Sequence, residues 1–270
     1  MVPIPGGEFW MGSADGVGLD DERPRHRVQL SPYCIDRTEV TVAAYRACVD
    51  GGACAAATTD NYVSSSTQDE SQQRQRGVLN EFCNWNRSNA ASHPINCVTW
   101  AQADAFCRFR GGRLPTEAEW EFAARGTDER RYPWGEAAPD ARRLNACGAE
   151  CARYAREHRI DHTQLYAGED GWVGTAPVGS FPLGASPFGV LDLAGNVSEW
   201  VVDWWSASYP ASAGAVRDPS GPNTGNHRVG RGSSWVTHDE ELARASHRMQ
   251  WLGPTTTLSF VGFRCARSRP

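Results

Sequence analysis

Lysine is absent from this sequence of 270 residues, and all 27 basic residues are arginine. This absence excludes Schiff-base chemistry on a lysine amine and the type of phosphate-binding loop that needs a lysine. No apolar run approaches the ~18 residues of a transmembrane helix, so we expect no membrane span. The first residues read VPIPGGEFWMGS from position 2 and lack the pattern of a signal peptide, so any leader is not part of this chain.

Concentrated positive charge is also missing. Acidic and basic residues are interspersed along the chain, and the net charge is −5. Domains that bind nucleic acid usually carry a basic patch or stripe. We therefore expect no nucleic-acid partner.

Cysteine, by contrast, is abundant, with nine residues in the chain. That number favours an oxidising compartment, so we expect a secreted, periplasmic or cell-surface protein. An odd count leaves at least one thiol unpaired if the others form bridges. The 27 glycines and 16 prolines predict low regular secondary structure and many ordered loops.

Three helices have recognisable start signals. Thr41 precedes VAAYRACVD, while Thr99 and Thr116 each begin a capping box that leads into an apolar-periodic segment. Glycines follow each segment and predict its end. Beyond residue 127 the sequence predicts little helix.

Residues 55–78 are polar and nearly free of large apolar side chains. This composition predicts an exposed, mobile surface insertion. No internal repeat or interdomain linker is evident, so residues 1–270 are expected to form one domain.

Several phrases, in order from residue 2 to residue 268, resemble one family. They are VPIPGGEFWMGS, DRTEVTVAAYRACV, GGRLPTEAEWEFAARG, RYPWGE, GTAPVGSFP, LDLAGNVSEW, RVGRGSSW and VGFRCARS. The sequence is similar to the formylglycine-generating enzyme, or sulfatase-modifying factor, family. The resemblance implies an α+β, variant C-type-lectin-like fold with few helices and twisted antiparallel sheets. Because members differ in chemistry and some have none known, the fold alone does not define the function.

Two structural calcium sites are implied by the same resemblance. One would use the side chains of Asp192 and Glu199 with the carbonyls of Gly195 and Val197. The other would use the following four residues: Asn145 and Asp170 by their side chains, and Ala146 and Trp172 by their carbonyls. Calcium favours such mixtures of carboxylate and carbonyl oxygens. The alternative is that the polar residues of LDLAGNVSEW only cap turns.

The family's formylglycine generators bind Cu(I) through two cysteines that follow the RVGRGSSW-like phrase, as soft thiolates should. Here Thr237 stands at the first position, and the second falls within Asp239–Leu242. We therefore expect no copper and no formylglycine formation by this mechanism. Ser198, where the family usually has tryptophan, places a groove for sulfatase peptides further in doubt.

A different metal chemistry has candidates close by. His238, Asp239 and His247 lie near the groove that the resemblance implies, and two histidines with a carboxylate can hold iron. The alternative is a solvated polar loop with one packed histidine.

The resemblance also implies a disulfide between Cys107 and Cys265. Cys48 and Cys54 flank a turn-rich segment and can bridge locally, and we expect Cys83 to pair with Cys97. Cys147 and Cys151 are expected to pair, which leaves Cys34 as the free thiol. The alternative for this last pair is zinc bound with His158 and His162, although the gap of six residues between Cys151 and His158 is short for a zinc finger.

Two functional hypotheses follow. The first is a pseudoenzyme: a disulfide-bonded, calcium-stabilised monomer that binds peptide, protein or glycan and is not a catalyst. The aromatic phrase DWWSASYPASAG, residues 203–214, suits such a surface. The second is a metal-dependent oxidoreductase with an altered site at His238, Asp239 and His247.

Overall fold

The computed structural model describes residues 1–62, 70–160, 162–207 and 215–269, without the side chains of residues 70–72 and 251. Within these residues the chain forms five α-helices and ten strands. The helices are α1 Val42–Asp50, α2 Glu70–Asn80, α3 Trp100–Phe109, α4 Glu117–Arg125 and α5 Ala149–His158. The strands are β1 Val2–Ile4, β2 Gly7–Met11, β3 His26–Leu30, β4 Tyr33–Ile35, β5 Ser198–Trp204, β6 Val216–Arg217, β7 Arg228–Arg231, β8 Arg248–Leu252, β9 Val261–Gly262 and β10 Ala266–Ser268. None of the described helices is long and apolar enough to cross a bilayer.

The strands form three small sheets. Their orders are β1-β4-β10, β2-β3-β6 and β8-β7-β5-β9. Most neighbours are antiparallel, but β6 runs parallel to β3 and β9 runs parallel to β5. The α+β class is therefore confirmed, with mixed rather than purely antiparallel sheets.

The position of the central strand β5 explains why the end of the LDLAGNVSEW phrase and the residues after it are largely apolar. Trp200 packs into one hydrophobic cluster with α1 and α3, and its neighbour Val201 packs into the other, with α4 and strands β1–β4. Successive side chains of a strand point to opposite faces, so β5 is buried on both sides. The strand therefore lies between the two halves of the core.

The three helices with start signals are confirmed. Thr41 caps α1 by accepting from the Ala44 N–H at 3.2 Å. Thr99 and Thr116 form complete capping boxes at α3 and α4. Local hydrogen bonding thus determines where each helix begins.

The prediction of little helix after residue 127 is wrong for α5. Its buried positions are Glu150, Cys151, Ala152 and Ala155, so its buried face carries no large apolar side chain. Its N-cap, Gly148, has no side chain that could signal a start. The bridge between Cys147 and Cys151 instead constrains the first turn.

The polar segment 55–78 contributes contacts at both ends. Asn61 is buried and accepts from the Ser259 N–H at 2.7 Å, while Arg76 donates to Asp60 at 3.0 Å. Helix α2 begins within the segment, so it is not wholly irregular. Residues 63–69 lie outside the described residues, and the mobility of the segment remains a prediction.

Candidate functional site

A groove of about 330 Å³ is lined by residues of the four-stranded sheet and of the loops around it. One wall is β8, and the other walls come from the loop after β7 and from the amino-terminal loop. Its lining residues are Leu19, Ser198, Gly232, Ser233, Ser234, Val236, Thr237, His238, Leu242, His247, Arg248, Met249, Gln250 and Phe260. The groove therefore combines apolar walls with several hydroxyl and imidazole groups.

Thr237, at the first position where the resemblance places a copper cysteine, lines this groove, and so does Leu242, the last residue of the range Asp239–Leu242 in which the second position falls. Neither side chain can form a thiolate. Ser198, at the family's usual tryptophan position, also lines the groove and donates to the Gly232 carbonyl at 3.1 Å.

Four disulfides account for eight of the nine cysteines. The pairs are Cys48–Cys54, Cys83–Cys97, Cys107–Cys265 and Cys147–Cys151, as predicted. Cys34 is the free cysteine, half-buried on β4. The chain therefore has no second free thiol with which to build a dithiolate copper site, and Cys147 and Cys151 are not available to zinc.

The three candidate catalytic residues lie around the same groove but do not converge. His238 and His247 both line it, whereas Asp239 faces an adjoining cavity with His238. Asp239 also caps a short 3-10 helix by accepting from the Glu241 N–H at 3.0 Å. Among the described residues, no three His, Cys, Asp or Glu side chains are grouped so that they could hold a metal ion.

His247 is a buried, neutral imidazole. Its pKa is lowered to about 4, chiefly by burial and also by nearby Arg231 and Arg244, whereas Glu22 and Asp239 oppose the shift. Its Nδ1 is buried without a hydrogen-bond partner. The ring can therefore offer the groove an uncharged polar group at neutral pH.

Strand β8 is the edge strand on this side of the sheet. It pairs with β7 on one side, and no described strand pairs with its other side. Its residues Arg248, Met249 and Gln250 line the groove. An unpaired strand edge presents backbone donors and acceptors that can pair with another chain.

The loop before β5 carries the first predicted calcium site. Asp192 and Asn196 have positive φ angles of 58° and 60°. Gly195 also has positive φ, and a Cβ there would lie 2.4 Å from the Asn145 carbonyl oxygen. Only glycine permits this close approach between the two loops that the resemblance assigns to calcium.

Arg264 lies at the centre of this region, a role that the sequence analysis missed. It donates to both carboxylate oxygens of Glu199, at 2.6 and 2.7 Å, and to the carbonyl of Leu191 at 2.9 Å. Trp120 donates a further bond to Glu199 at 2.8 Å. Glu199 is thus fully engaged by protein donors.

Glu39 was also missed, although it lies in the family-like phrase DRTEV. Its carboxyl group is buried and accepts from Asn196 at 2.9 Å. Burial, and next the charge of Asp192, raises the pKa of Glu39 well above its usual range. The region thus holds three buried carboxylates, Glu39, Asp192 and Glu199, around the one guanidinium of Arg264.

The structure brings the second predicted calcium set together. Asp170 accepts from the backbone N–H groups of Trp172 at 2.9 Å and Ala146 at 3.3 Å, and from the Tyr166 hydroxyl at 2.6 Å. Burial raises the pKa of Asp170 to about 6. The Oδ1 atom of Asn145 is buried without a partner.

Asn196 links the two loops directly. Its Oδ1 accepts from Asn145 at 3.2 Å and from the Ala176 N–H at 2.9 Å. Its Nδ2 donates to Glu39 Oε1 at 2.9 Å. One buried amide therefore spans both predicted sites.

The aromatic phrase 203–214 is only partly described, because residues 208–214 lie outside the described residues. Trp204 and Trp100 enclose the Arg228 guanidinium, whose carbon lies 3.5 and 3.7 Å from the two ring centres. This tryptophan thus packs against the protein's own arginine.

Comparison with known proteins identifies the family. Residues 1–269 match the model of the sulfatase-modifying factor enzyme 1-like domain. The chain belongs to this family. A formylglycine-generating enzyme of Streptomyces coelicolor is 38% identical to this family member over 98% of the chain and 88% of its own length. A Bos taurus relative named inactive C-alpha-formylglycine-generating enzyme 2 is 30% identical, over 98% of the chain and 87% of its own length.

Structural comparison agrees on the fold. PvdO from Pseudomonas aeruginosa superposes with a TM-score of 0.72 at 24% identity, covering 99% of this chain and 93% of PvdO. The relatives of this chain thus include a protein named formylglycine-generating enzyme and one named inactive. Membership of the family alone therefore does not define the activity of this chain.

Proposed function

We propose that this sulfatase-modifying factor domain is a peptide-binding module that does not generate formylglycine. The observation that supports the proposal is the groove itself. Thr237 lines it at the first copper-cysteine position, no residue of Asp239–Leu242 is a cysteine, and Cys34 is the chain's only cysteine outside a disulfide. The groove can still accept a ligand, but it lacks the two cysteine thiolates through which the family's formylglycine generators bind Cu(I).

Copper binding gives a direct comparison. The wild-type protein is expected to bind Cu(I) no better than a Thr237→Ser, Leu242→Ser variant in a competition titration against a chromogenic chelator. The matched double substitution Thr237→Cys, Leu242→Cys should gain a Cu(I) site, because both positions line the groove. Tight stoichiometric copper in the wild type would contradict the proposal.

The edge of β8 favours an extended peptide over a glycan as the ligand. Strand addition supplies main-chain hydrogen bonds, and adjacent pockets select alternate side chains. Met249 and Phe260 offer an apolar wall, while His247 offers a neutral polar group. A peptide with an apolar side chain at alternate positions matches this arrangement.

Selection from a random-sequence peptide library displayed on phage tests this proposal. Met249→Glu should abolish capture of the selected peptides, because it places a charge on the groove wall. Leu183→Glu is the matched control, since Leu183 is exposed and outside the groove. N-methylation of the best peptide should weaken binding at every second residue only, and a uniform response would contradict strand addition.

We further propose that both loops hold calcium as a structural ion, in an extracytoplasmic monomer. The residues fit: buried carboxylates outnumber cations around Asp192, and Asn145 leaves a buried carbonyl oxygen unpartnered. Bound calcium would fix the loops by ligation and offset this negative charge. Elemental analysis of chelator-free protein should return about two calcium ions per chain, with a melting temperature lowered by chelator. Absence of calcium from the protein in this elemental analysis would contradict the proposed calcium binding.

The second hypothesis, a metal-dependent oxidoreductase using His238, Asp239 and His247, remains a prediction. Stoichiometric iron or copper together with oxygen consumption would favour it. Loss of that activity in His247→Ala would then assign the residue.

A further inference from the structure

The groove contains a row of three residues across the ends of β5, β7 and β8, namely Ser198, Gly232 and His247. The row follows from the register, in which Glu199 pairs with Arg231 and Arg231 pairs with Arg248. The three residues of the row come one position beyond these pairs. The hydrogen bond of 3.1 Å from the Ser198 hydroxyl to the Gly232 carbonyl agrees with this alignment. We call the space over Gly232, between Ser198 and His247, the slot.

The middle of the slot carries no side chain. Gly232 has a φ of 74°, and a Cβ there would lie 3.0 Å from the Leu193 carbonyl oxygen and 3.0 Å from the Trp120 ring. Position 232 is therefore restricted to glycine. Neighbouring strands are about 4.8 Å apart, so the backbones of Ser198 and His247, two strands apart, are separated by roughly 10 Å. A planar ring can lie against the glycine backbone in a gap of this width.

The two ends of the slot are a short side chain and an uncharged ring. Ser198 is fully buried, and because its hydroxyl already donates to the Gly232 carbonyl, it needs no hydrogen bond from a ligand. His247 is 7% exposed, and its Nδ1 has no hydrogen-bond partner, so the protein leaves this end of the slot unsatisfied. The half-buried side chains of Met249 and Phe260 add apolar walls.

The charge of Arg248, which also lines the groove, is already neutralised. Its guanidinium donates to both carboxylate oxygens of Glu117, at 2.6 and 3.1 Å, and to the carbonyls of Asp21 and Ser206, at 2.7 and 3.1 Å. An acidic ligand side chain would compete with Glu117, and a basic one would bury its charge without a partner. The lining therefore favours an uncharged side chain.

From this arrangement we infer that the slot binds an aromatic side chain of the peptide, and that Ser198 determines this specificity. The inference rests on the proposed peptide binding and adds the identity of the anchor residue. A side chain that enters from a strand paired with β8 must extend over His247 towards Gly232, which favours a long side chain over a small one. Aromatic rings bury a large apolar area, pack well against other rings, and often carry much of the binding energy of an interface.

The experiment uses the peptides that phage selection yields on the full wild-type chain. Each is synthesised with a fluorophore, in its selected form and with its aromatic residues replaced one at a time by alanine. Affinities for the wild type, Ser198→Ala and Ser198→Trp are then measured by fluorescence anisotropy. We expect the selected peptides to share an aromatic residue at one position, whose replacement by alanine weakens binding to the wild type by about tenfold or more.

The two variants separate specificity from structural damage. Ser198→Ala keeps the slot open and should bind the aromatic peptide within about threefold of the wild type. In Ser198→Trp the indole occupies the slot, so binding of the aromatic peptide should weaken by about tenfold or more. The alanine form of the same peptide does not need the slot, so the wild type and Ser198→Trp should bind it equally.

Two results would overturn the assignment of the slot while leaving peptide binding intact. One is a set of selected peptides without a shared aromatic residue, and the other is an equal loss of the aromatic and alanine forms in Ser198→Trp. A selection that yields no peptide would overturn the proposed peptide binding, and the anchor with it. If Ser198→Trp does not fold, Ser198→Val takes its place, and unchanged affinity of that variant for the aromatic peptide would refute the role of Ser198.

Discussion

Removing the bridge between Cys107 and Cys265 should destabilise the domain more than removing any short-range bridge. This disulfide connects residues separated by 158 positions, joining α3 to the segment just before β10. In the chain-entropy model a closed loop of that length contributes about 5 kcal/mol to the free energy of unfolding. The bridge between Cys147 and Cys151 spans 4 positions and contributes about 2 kcal/mol in the same model.

The two bridges form a matched comparison. All four cysteines are buried, so replacing either pair with alanine creates a similar loss of packing. The difference between the two double variants therefore isolates loop closure. We expect Cys107→Ala, Cys265→Ala to lose about 3 kcal/mol more than Cys147→Ala, Cys151→Ala in urea unfolding without reductant. Equal losses would refute loop closure as the source of the stabilisation.

Three further substitutions test the buried polar groups. Because the folded pKa of His247 is depressed to about 4, its contribution is present above about pH 6.5 and is lost as pH falls. Between about pH 7.5 and about pH 4.5, the free energy of unfolding should therefore fall by about 2–3 kcal/mol more in the wild type than in His247→Gln, as measured by urea unfolding. Burial raises the pKa of the Asp203 carboxyl group on β5 to about 8. Its contribution to the free energy of unfolding is therefore fully present below about pH 4 and is lost as pH rises through about 8. Asp203→Asn should thus gain stability relative to the wild type as pH rises from about 5 to about 9. Asn196→Ala should lower the free energy of unfolding by about 2–4 kcal/mol, since it leaves the Ala176 N–H and Glu39 Oε1 unpaired. For each variant, a difference within about 0.5 kcal/mol of wild type would contradict the assigned role.

Local signals in the sequence were sufficient for part of the fold. The helices α1, α3 and α4 start at threonines whose side chains accept the hydrogen bonds that capping requires. Helix α5 has a glycine at its N-cap and no large apolar side chain on its buried face, so it has neither a capping signal nor a hydrophobic run. Capping chemistry is local, whereas the stability of α5 depends on tertiary contacts and a disulfide.

In the candidate site, too, local sequence signals did not predict the long-range contacts. The motif around Asp192 and Glu199 was visible in the sequence, but the partners of these residues were not. Glu39 and Arg264 lie 225 positions apart in the sequence, yet Glu39 accepts from Asn196 and Arg264 donates to the Asp192 carbonyl of the same loop. Such long-range contacts follow from how β5 and the loops before it pack, which no spacing in one sequence reveals. The family-like phrases indicated the region, and only the three-dimensional arrangement showed that Arg264 is the ion-pair partner of Glu199.

The most direct test of the central claim is a conversion assay followed by mass spectrometry. A cysteine-containing sulfatase peptide is incubated with Cu(I), reductant and oxygen, with this protein or with the Streptomyces coelicolor formylglycine-generating enzyme as the positive control. The account predicts that the control converts the cysteine to formylglycine and that this protein returns the peptide unchanged. Catalytic conversion of the peptide by the wild-type protein would contradict the account.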